Sequence, residues 1–419
     1  MPDECVILAD GPGALVELCG ISTLERLLRT LQRCGITRAT ILSSTPAEIS
    51  EQLAQPSWAC ADLKFAIRER PPGPTTVQEI VDLWPAATER LLVIRGDVIF
   101  DLRLLSALLT QTSSAALVDS ASISSAQNTN RGKLCGAALL HRDWASVRYG
   151  SIENALVEGL EAHTIDALDV ANQPSYHPGL RRNLRPFWFS APVVADKKAA
   201  ERVLLDSVQK GTLDFPAWIH APIEKFLLRY LCRTSITPNQ LTIFWALLAC
   251  LTTIFFATGY LAWGIVLALI IGIIDGLDGK QARIKVETTA GGKIEHHLDS
   301  FFDVVWPTAL AFHFYASGQL PGAFYYLAIL LIGEGVDGIA KAVIYSDAGR
   351  AMTAPRLFDQ LVRLVGGRRN IYIWVLLVAL VLGAPAKALV VMAWWEAITA
   401  AIDVPHAIRL LFLRRKTPG

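Results

Sequence analysis

The sequence predicts two parts of different fold class: an α/β domain in the first half and an all-α bundle of six membrane-spanning helices in the second. Three observations support this division. The chain of 419 residues is 52% hydrophobic and only 18% charged, which is more apolar than ordinary soluble proteins. Charged residues recur throughout residues 1–235, whereas long apolar runs dominate from Asn239 onward. The beginning of the chain also alternates strand-like and helix-like segments, as α/β domains do.

The first elements of the chain are a strand, a turn and a helix. Residues 5–11, CVILADG, are typical of a buried strand that leads into the small-residue turn DGPGA. An amphipathic helix, STLERLLRTLQRCG, and a second strand, ATILSS, come next. LLVIRGDVIFD contains a further apolar strand, which ends at Asp97. The order predicts a βαβ opening, and we assign residues 1–215 to this domain.

Net charge and cysteine content indicate which partners to expect and in which compartment the first domain lies. The formal net charge of +1 gives no support for a nucleic-acid partner, and we expect none. The seven cysteines are odd in number and have no CxxC spacing, which favours a reduced, cytosol-facing environment. The first residues, MPDECVILAD, lack a basic region followed by a long apolar core, so no cleavable signal peptide is expected.

Residues 216–236 form an amphipathic segment before the first apolar run. Its apolar residues recur at helical spacing: Ile219, Ile223, Phe226, Leu227 and Tyr230. Its charged residues fall opposite them: Glu224, Lys225 and Arg229. This pattern predicts a helix lying in the membrane interface, and the alternative is a linker helix packed on the first domain. Thr237-Pro238-Asn239 predicts a break, with Asn239 as the cap of the next helix.

Residues 237–419 contain six runs close to the roughly 20 residues that a bilayer requires. They cover approximately 239–258, 261–282, 295–316, 321–344, 370–385 and 387–411. The loops after the second and fourth runs and the C-terminal tail are rich in Lys and Arg, whereas the other loops carry almost none, Lys387 excepted. The positive-inside rule then predicts an integral protein of the cytoplasmic membrane with both termini and the basic loops in the cytoplasm.

Two pairs of aspartates stand at the cytoplasmic ends of the second and third spans. Asp275 and Asp278 are three residues apart, and Asp299 and Asp303 are four apart, so each pair shares one helix face. Glu295 extends the second stripe by one turn. Antiparallel packing would gather these carboxylates at one point, which suits one or two Mg²⁺ or Mn²⁺ ions. The alternative is a set of helix-end carboxylates paired with loop lysines.

The glycines and the arginine of the same stretch favour a phosphate ligand. Gly276 and Gly279 allow a phosphate or a neighbouring helix to approach the backbone. Arg283 follows one turn later and can bind phosphate oxygens with two parallel hydrogen bonds. Farther along, the spacing of Asp337 and Lys341 predicts an ion pair inside the bundle.

DGLDGKQAR followed by DSFFD resembles the signature of CDP-alcohol phosphotransferases, D-x2-D-G-x2-A-R-…-G-x3-D-x3-D. The lead-in TPNQLT and the number of spans are similar to the family as well, over residues 217–419. The first half of the signature matches at every fixed position: Asp275, Asp278, Gly279, Ala282 and Arg283. One position departs, because Glu295 stands where the family has glycine. Either the loop is about three residues longer, which keeps Asp299 and Asp303, or His296 and Ser300 take the last two acidic positions; we prefer the first.

The resemblance implies an enzyme that transfers a substituted phosphate from a CDP-alcohol to an acceptor hydroxyl and releases CMP. It implies metal ligands at Asp275, Asp278, Asp299 and Asp303, and a catalytic base at Asp303. It implies a nucleotide site at Gly279, Ala282 and Arg283, with Asn239 as a further candidate. We expect the acceptor near Glu295, Arg368 and Arg369, although both arginines also suit solvated positive-inside positions.

The elements of the first domain resemble sugar-nucleotide or molybdopterin-type nucleotidyltransferases, which have a Rossmann-like fold. In that group the first strand leads into L-A-x-G-x-G-x-R and a later GD follows, which implies site residues at Gly11, Gly13 and Asp97. The fused organisation resembles bifunctional inositol-1-phosphate cytidylyltransferase/di-myo-inositol phosphate phosphate synthases. However, Ala14 and Leu15 stand where an arginine is expected, VELCGIST lacks the usual lysine, and Ser190 occupies the second acidic position. We expect a degenerate domain that docks the CDP-alcohol, a partner or the membrane; the alternative is an active cytidylyltransferase.

The fused organisation suggests a CDP-polyol donor such as CDP-inositol and a phosphorylated polyol acceptor. The alternative is a phospholipid synthase, a phosphatidyltransferase that uses CDP-diacylglycerol as the donor; the acceptor is a polyol phosphate or a lipid. An ion transporter or scaffold is disfavoured, because the acids cluster at one face instead of forming an inverted repeat at mid-membrane. The expected partners are therefore the donor, the acceptor, the bilayer and, through the membrane domain, a second copy of the chain.

Overall fold

The computed structural model describes residues 4–54, 63–121, 128–129, 132–146, 148–211, 215–287, 291–351, 361–362 and 364–416. The chain divides into two compact units. The first, here the α/β unit, comprises Met1–Ser175, Leu184–Ser207 and Ile284–Thr288. The second, the helical unit, comprises Tyr176–Asn183, Val208–Arg283 and Thr289–Gly419.

The strands of the chain are mostly short. In chain order they are β1 Glu4–Leu8, β2 Glu17–Leu18, β3 Ile21–Ser22, β4 Arg38–Ser43, β5 Lys64–Glu69, β6 Arg90–Arg95, β7 Val98–Phe100, β8 Ala115–Asp119, β9 Asn128–Thr129, β10 Gly132–His141, β11 Asp166–Asp169, β12 Tyr176–His177, β13 Arg182–Asn183 and β14 Trp188–Ser190. The α/β unit is built on one sheet in the order β11-β8-β10-β6-β1-β4-β5, with β9 paired to β10. Strands β6, β1, β4 and β5 run parallel, whereas β10 is antiparallel to both of its main neighbours. The mixed sheet confirms the predicted α/β class.

Helices cover both faces of this sheet. They are α1 Thr23–Arg33, α2 Pro46–Leu53, α3 Val77–Asp82, α4 Leu102–Leu109, α5 Arg142–Ser146, α6 Ile152–Glu161 and α7 Lys197–Ser207. Successive residues of a strand point to opposite faces, so Ile7 joins the core under α1 and α4, while Val6 joins the core with α3 and α6. Helix α1 begins after Ser22, whose side chain accepts the backbone N–H of Glu25 at 3.1 Å. The predicted strand–helix–strand opening is therefore confirmed.

The helical unit consists of long apolar helices and one small hairpin, β12–β13. Among the described residues, its long helices are α8 Phe215–Leu231, α9 Pro238–Thr258, α10 Leu261–Ile284, α11 Gly291–Ala316, α12 Ala323–Ala351, α13 Arg369–Val381 and α14 Ala386–Lys416. Thr237 caps α9, because its hydroxyl accepts the Gln240 N–H at 3.3 Å and the Gln240 side chain accepts the Thr237 N–H at 2.9 Å. The predicted break is confirmed, but the cap is Thr237 and not Asn239, which lies inside the first turn.

Helices occupy all six positions of the predicted spans. Among the described residues, three are long and apolar enough to cross a bilayer: Pro238–Thr258, Leu261–Ile284 and Ala386–Phe412. Arg369–Val381 is apolar but shorter. These features indicate a membrane protein. The count of six spans, the orientation and the cytoplasmic membrane stay predictions.

The predicted interfacial helix exists as α8, but one of its assigned residues faces the other way. The apolar residues expected at the interface are exposed: Ile219, Ile223, Phe226, Leu227 and Tyr230. Glu224, which we expected on the polar face, is only 7% exposed and pairs with Lys280 of α10. An unpaired carboxylate would be costly at this depth, so the partner on α10 explains why Glu224 turns inward.

Candidate active site

Asp278 is the most deeply buried of the four predicted aspartates, at 1% exposure. Its Oδ2 accepts a hydrogen bond from the Thr242 hydroxyl at 2.8 Å and from the Trp245 indole N–H at 3.3 Å. Its Oδ1 accepts the backbone N–H of Gly279. Thr242 and Trp245 lie on the same face of α9. Helix α9 therefore holds the Asp278 carboxylate in one orientation.

Arg369, the first residue of α13, connects the second pair of aspartates. It donates to Asp299 Oδ1 at 2.8 Å and to the Asp299 backbone oxygen at 3.3 Å. The nitrogen that donates to the Asp299 backbone oxygen, Nη1, also lies 3.4 Å from Asp303 Oδ1. The guanidinium also stacks over the Trp306 ring at 5.3 Å. This geometry gives Arg369 a defined position between the two carboxylates.

The two pairs belong to one cluster. Asp275 also interacts electrostatically with Arg369, and Asp278 with Asp299. The side chains of Asp299 and Asp303 are 29% and 41% exposed, so this end of the cluster is open. Electrostatic interactions thus connect the two pairs, and the four aspartates are here called the carboxylate cluster.

The carboxylate cluster offers the type of ligand that a divalent cation binds, but its side chains are not arranged as a coordination shell. Carboxylate oxygens from two helices are the donors that Mg²⁺ and Mn²⁺ prefer, and the Arg369 guanidinium already stands among them as a cation. Within the part of the chain that the structure describes, no three acidic, histidine or cysteine side chains approach closely enough to ligate one ion. The donor types therefore fit a cation, whereas its ligand set is a prediction.

The glycines of the signature make room for side chains. A Cβ on Gly276 would lie 2.6 Å from Glu224 Oε1, so the Glu224–Lys280 pair requires glycine there. A Cβ on Gly279 would lie 3.4 Å from an Arg283 nitrogen, so Arg283 folds back over Gly279. Arg283 Nε also donates to the Val208 oxygen at 3.1 Å. The two glycines therefore do allow other groups to approach the backbone of α10, but the groups that approach it are protein side chains.

The remaining predicted residues of the helical unit lie at varying distances from the cluster. Ala282 is on α10 beside Arg283 and is partly buried, and Asn239 is exposed in the first turn of α9. Arg368 directly precedes α13 and interacts electrostatically with Glu396. Glu295 belongs to α11, but its side chain lies outside the described residues. The predicted ion pair between Asp337 and Lys341 is confirmed.

Sequence reasoning did not identify Thr242, Trp245, Glu224 or Lys280 as parts of the site. A signal for the first two exists, because the buried residues of α9 repeat at helical spacing: Pro238, Thr242, Trp245, Ala249, Thr252 and Phe256. A threonine and a tryptophan on this face bring hydrogen-bond donors toward the bundle. The Glu224–Lys280 pair spans 56 positions, and no local pattern predicts it.

In the α/β unit, two of the three predicted residues lie together. A Cβ on Gly13 would lie 2.9 Å from Asp97 Cβ, so the turn after β1 packs directly on Asp97. Gly11 has φ 88° and no atom within 4 Å of an added Cβ, so its backbone conformation is what requires glycine. The strand β6 ends at Arg95, and Asp97 follows in the turn.

Arg95 neutralises Asp97. Arg95 Nε donates to Asp97 Oδ1 at 3.0 Å and Nη2 donates to Oδ2 at 2.7 Å. These hydrogen bonds raise the pKa of Arg95 above its ordinary value. The Arg95 side chain folds over Gly136, where a Cβ would lie 2.8 Å from Arg95 Cδ. Sequence reasoning missed this pairing, although Arg95 is only two residues from Asp97.

A cavity of about 410 Å³ adjoins this pair. Its polar lining comes mainly from Arg95, Lys133, Glu153 and Ser190. Lys133 lies over the Trp188 ring at 5.4 Å. Ser190, which occupies the position of the expected second acid, therefore faces the cavity beside the neutralised Asp97.

Residues 235–402 match the model of the CDP-alcohol phosphatidyltransferase family. The chain is 30% identical to the bifunctional IPC transferase and DIPP synthase of Aquifex aeolicus (strain VF5) over 132 residues, which are 30% of each protein. It is 30% identical to the inner membrane protein YnjF of Escherichia coli (strain K12) over 129 residues, 30% of this chain and 62% of the relative. The matches thus span less than two thirds of either relative.

Solved structures similar to this chain cover about half of it. HddC from Yersinia pseudotuberculosis has a TM-score of 0.36 and 16% identity, over 48% of this chain and 99% of that one. The inositol-1-phosphate CTP transferase from T. maritima has a TM-score of 0.36 and 11% identity, over 48% of this chain and 94% of that one.

The family matched by residues 235–402 is generally dependent on a divalent cation. The C-terminal part of the chain therefore contains a domain that matches the CDP-alcohol phosphatidyltransferase family over these residues.

Proposed function

We propose that the chain is a membrane-embedded transferase that moves a substituted phosphate from a CDP-alcohol to an acceptor hydroxyl and releases CMP. The observation that carries this proposal is the carboxylate cluster inside the region that matches the family, where Arg369 contacts Asp299 and Asp303. We further propose a CDP-polyol donor and a phosphorylated polyol acceptor. The alternative donor is CDP-diacylglycerol.

The roles of the aspartates follow from their surroundings. The Asp303 side chain is 41% exposed, more than that of Asp299 at 29%, so an incoming hydroxyl can reach it. It would take the acceptor proton as the acceptor oxygen bonds to the β-phosphorus, while the bond from that phosphorus to the bridging oxygen breaks and CMP departs with that oxygen. Asp278 is held by three donors and is better suited to fix the site than to move.

The four aspartates would hold a divalent cation, Mg²⁺ or Mn²⁺, which when bound offsets the charge of the pyrophosphate. Arg283, four residues after Gly279 on α10, would contact a nucleotide phosphate. Arg369 would contact a phosphate on the acceptor, and the position of its guanidinium beside Asp303 supports this role. A second copy of the chain as a partner is also part of the proposal.

The test supplies the purified full chain in detergent with Mg²⁺, one donor at a time, and measures CMP. CDP-inositol with inositol phosphate should release CMP, and CDP-diacylglycerol with the same acceptor should not. CMP from the lipid donor alone would reverse the substrate assignment. No CMP from either donor, with a folded protein, would contradict transfer itself.

For the α/β unit we propose a nucleotidyltransferase-like domain that no longer makes CDP-alcohol. Asp97 would have to serve a metal-bound triphosphate, but its two oxygens are occupied by Arg95. The test incubates the full chain with CTP and inositol phosphate and measures pyrophosphate. Rapid pyrophosphate release would show that the domain is active and that the Arg95–Asp97 pair opens.

A further inference from the structure

A second group of polar side chains, two of them buried, lies in the helical unit where α14 meets the start of α13. Gly366 and Gly367 precede Arg368, and α13 begins with Arg369. One turn of α14 contacts this stretch through three residues, here called the bracing turn: Trp395, Glu396 and Thr399. Neither the family signature nor the mechanism above assigns a role to them.

Two members of the bracing turn hold the backbone before α13. The Trp395 indole N–H donates to the Val365 oxygen at 2.7 Å. The Gly367 N–H donates to the Thr399 hydroxyl at 3.0 Å, in a buried position. Because a buried N–H without a partner is costly, this hydrogen bond gives the segment one preferred position.

Glu396 is the centre of the bracing turn and is 1% exposed. The Tyr372 hydroxyl donates to its Oε2, and Tyr372 lies three residues after Arg369 on α13. A Cβ on Gly367 would lie 1.8 Å from the same oxygen, and a Cβ on Gly333 would lie 2.9 Å from Glu396 Cγ. Glycines on two sides therefore admit the carboxylate, which in turn sets the rotation of the first turn of α13.

That first turn carries Arg369, whose guanidinium contacts Asp299 and Asp303. A small rotation of α13 is amplified along the arginine side chain and would remove the guanidinium from the carboxylate cluster. We infer that the bracing turn positions Arg369 for the phosphate of the acceptor. The inference rests on the proposed function, and Trp395, Glu396 and Thr399 act through Arg369 and not on the reacting atoms.

The test uses substitutions that keep side-chain shape. Thr399→Val removes the acceptor for the Gly367 N–H, and Tyr372→Phe removes the donor to Glu396. The matched control is Gly335→Ala on α12, where no atom lies within 4 Å of the added Cβ. CMP release from the full chain in detergent is measured against acceptor and donor concentration, with size-exclusion chromatography as the check on folding.

We expect Thr399→Val to raise the acceptor KM about tenfold, the effect of one buried unsatisfied donor, while the donor KM changes less than about twofold. Tyr372→Phe should shift the same constant in the same direction, and Gly335→Ala should match the wild type. In an Arg369→Ala background, neither substitution should raise the acceptor KM further, because the residue through which they act is gone.

The outcomes separate the two proposals. If the wild type is active and Thr399→Val and Tyr372→Phe leave the acceptor KM unchanged, the positioning role is overturned. The same holds if both KM values rise together, or if the full effect persists without Arg369. A folded wild type that releases no CMP overturns the proposed function, and this inference falls with it.

Discussion

The helical unit and the α/β unit each contain an arginine beside an aspartate, and the two arginines differ in how the guanidinium is shared. In the α/β unit, Arg95 donates to both oxygens of Asp97 from only two residues away and also lies 3.4 Å from Glu153 Oε1. In the helical unit, Arg369 donates to Asp299 Oδ1 at 2.8 Å and lies 3.4 Å from Asp303 Oδ1. Arg95 therefore engages both oxygens of one aspartate, whereas Arg369 divides its guanidinium between two aspartates of α11.

The largest expected effect tests the open end of the carboxylate cluster. Asp303→Asn should lower CMP release by about 10²- to 10⁴-fold, since a general base contributes that much. The protein should still fold and elute as the wild type, because Asp303 is only partly buried. Asp196→Asn, an exposed aspartate of the α/β unit, is the control. Turnover near the wild-type rate would remove Asp303 from the mechanism.

The next prediction concerns Arg369 and the two carboxylates that it contacts. In EDTA, Arg369→Ala should destabilise the protein by about 1–2 kcal/mol, a value reduced for partial exposure, because Asp299 and Asp303 lose the guanidinium beside them. Mg²⁺ should then stabilise this variant more than the wild type, because the ion would replace the lost positive charge. Thermal unfolding in detergent, with and without Mg²⁺, measures both effects. Equal stabilisation by Mg²⁺ would argue against a cation at the cluster.

The helical unit also contains the buried ion pair Glu224–Lys280, to which we assign a structural role and not a catalytic one. Gly276→Ala would place a methyl group 2.6 Å from Glu224 Oε1, and should cost about 1–2 kcal/mol of stability through overpacking. Gly338→Ala, with no atom within 4 Å of the added Cβ, should cost nothing or stabilise α12. Unfolding temperatures in detergent compare the two. Equal temperatures would mean that α8 and α10 are not held at Gly276.

The smallest effect is expected in the α/β unit. Arg95→Gln removes a partly exposed ion pair and should cost less than about 1 kcal/mol. CMP release should stay within about twofold of the wild type, because the proposed transfer does not use Asp97. If the Arg95→Gln variant instead releases pyrophosphate from CTP, the α/β unit contains an active nucleotidyltransferase site that Arg95 inhibits. The contrast between the two units would then be wrong.

Several parts of the structure could be predicted because they depend on neighbours in sequence. The strand–helix–strand opening, the break at Thr237-Pro238 and the Asp337–Lys341 pair arise from local periodicity, turn chemistry and i,i+4 spacing. The convergence of the four aspartates could be predicted as well, since two short spacings at facing helix ends leave few alternatives. The identity of the ion and of the acceptor could not, because these depend on distances between helices.

The sequence pattern did not predict the partners of the buried polar groups. Glu224 was expected among polar residues on the outer side of α8, but its partner Lys280 lies 56 positions away. Thr242 and Trp245 bind Asp278 across helices, and Glu396 reaches Tyr372 from 24 positions away. Each of these groups is tolerated only because another helix supplies its partner, and periodicity along one helix does not specify its neighbours.

Composition and short spacings are local properties, so the division into an α/β part and an apolar helical part, and the pairing of aspartates on two helices, could be predicted from the chain alone. The tertiary structure was needed to show that Arg369 contacts Asp299 and Asp303 and that Arg95 pairs with both oxygens of Asp97. Which charged side chains meet depends on how the backbone elements pack, and spacing along the chain does not specify that packing.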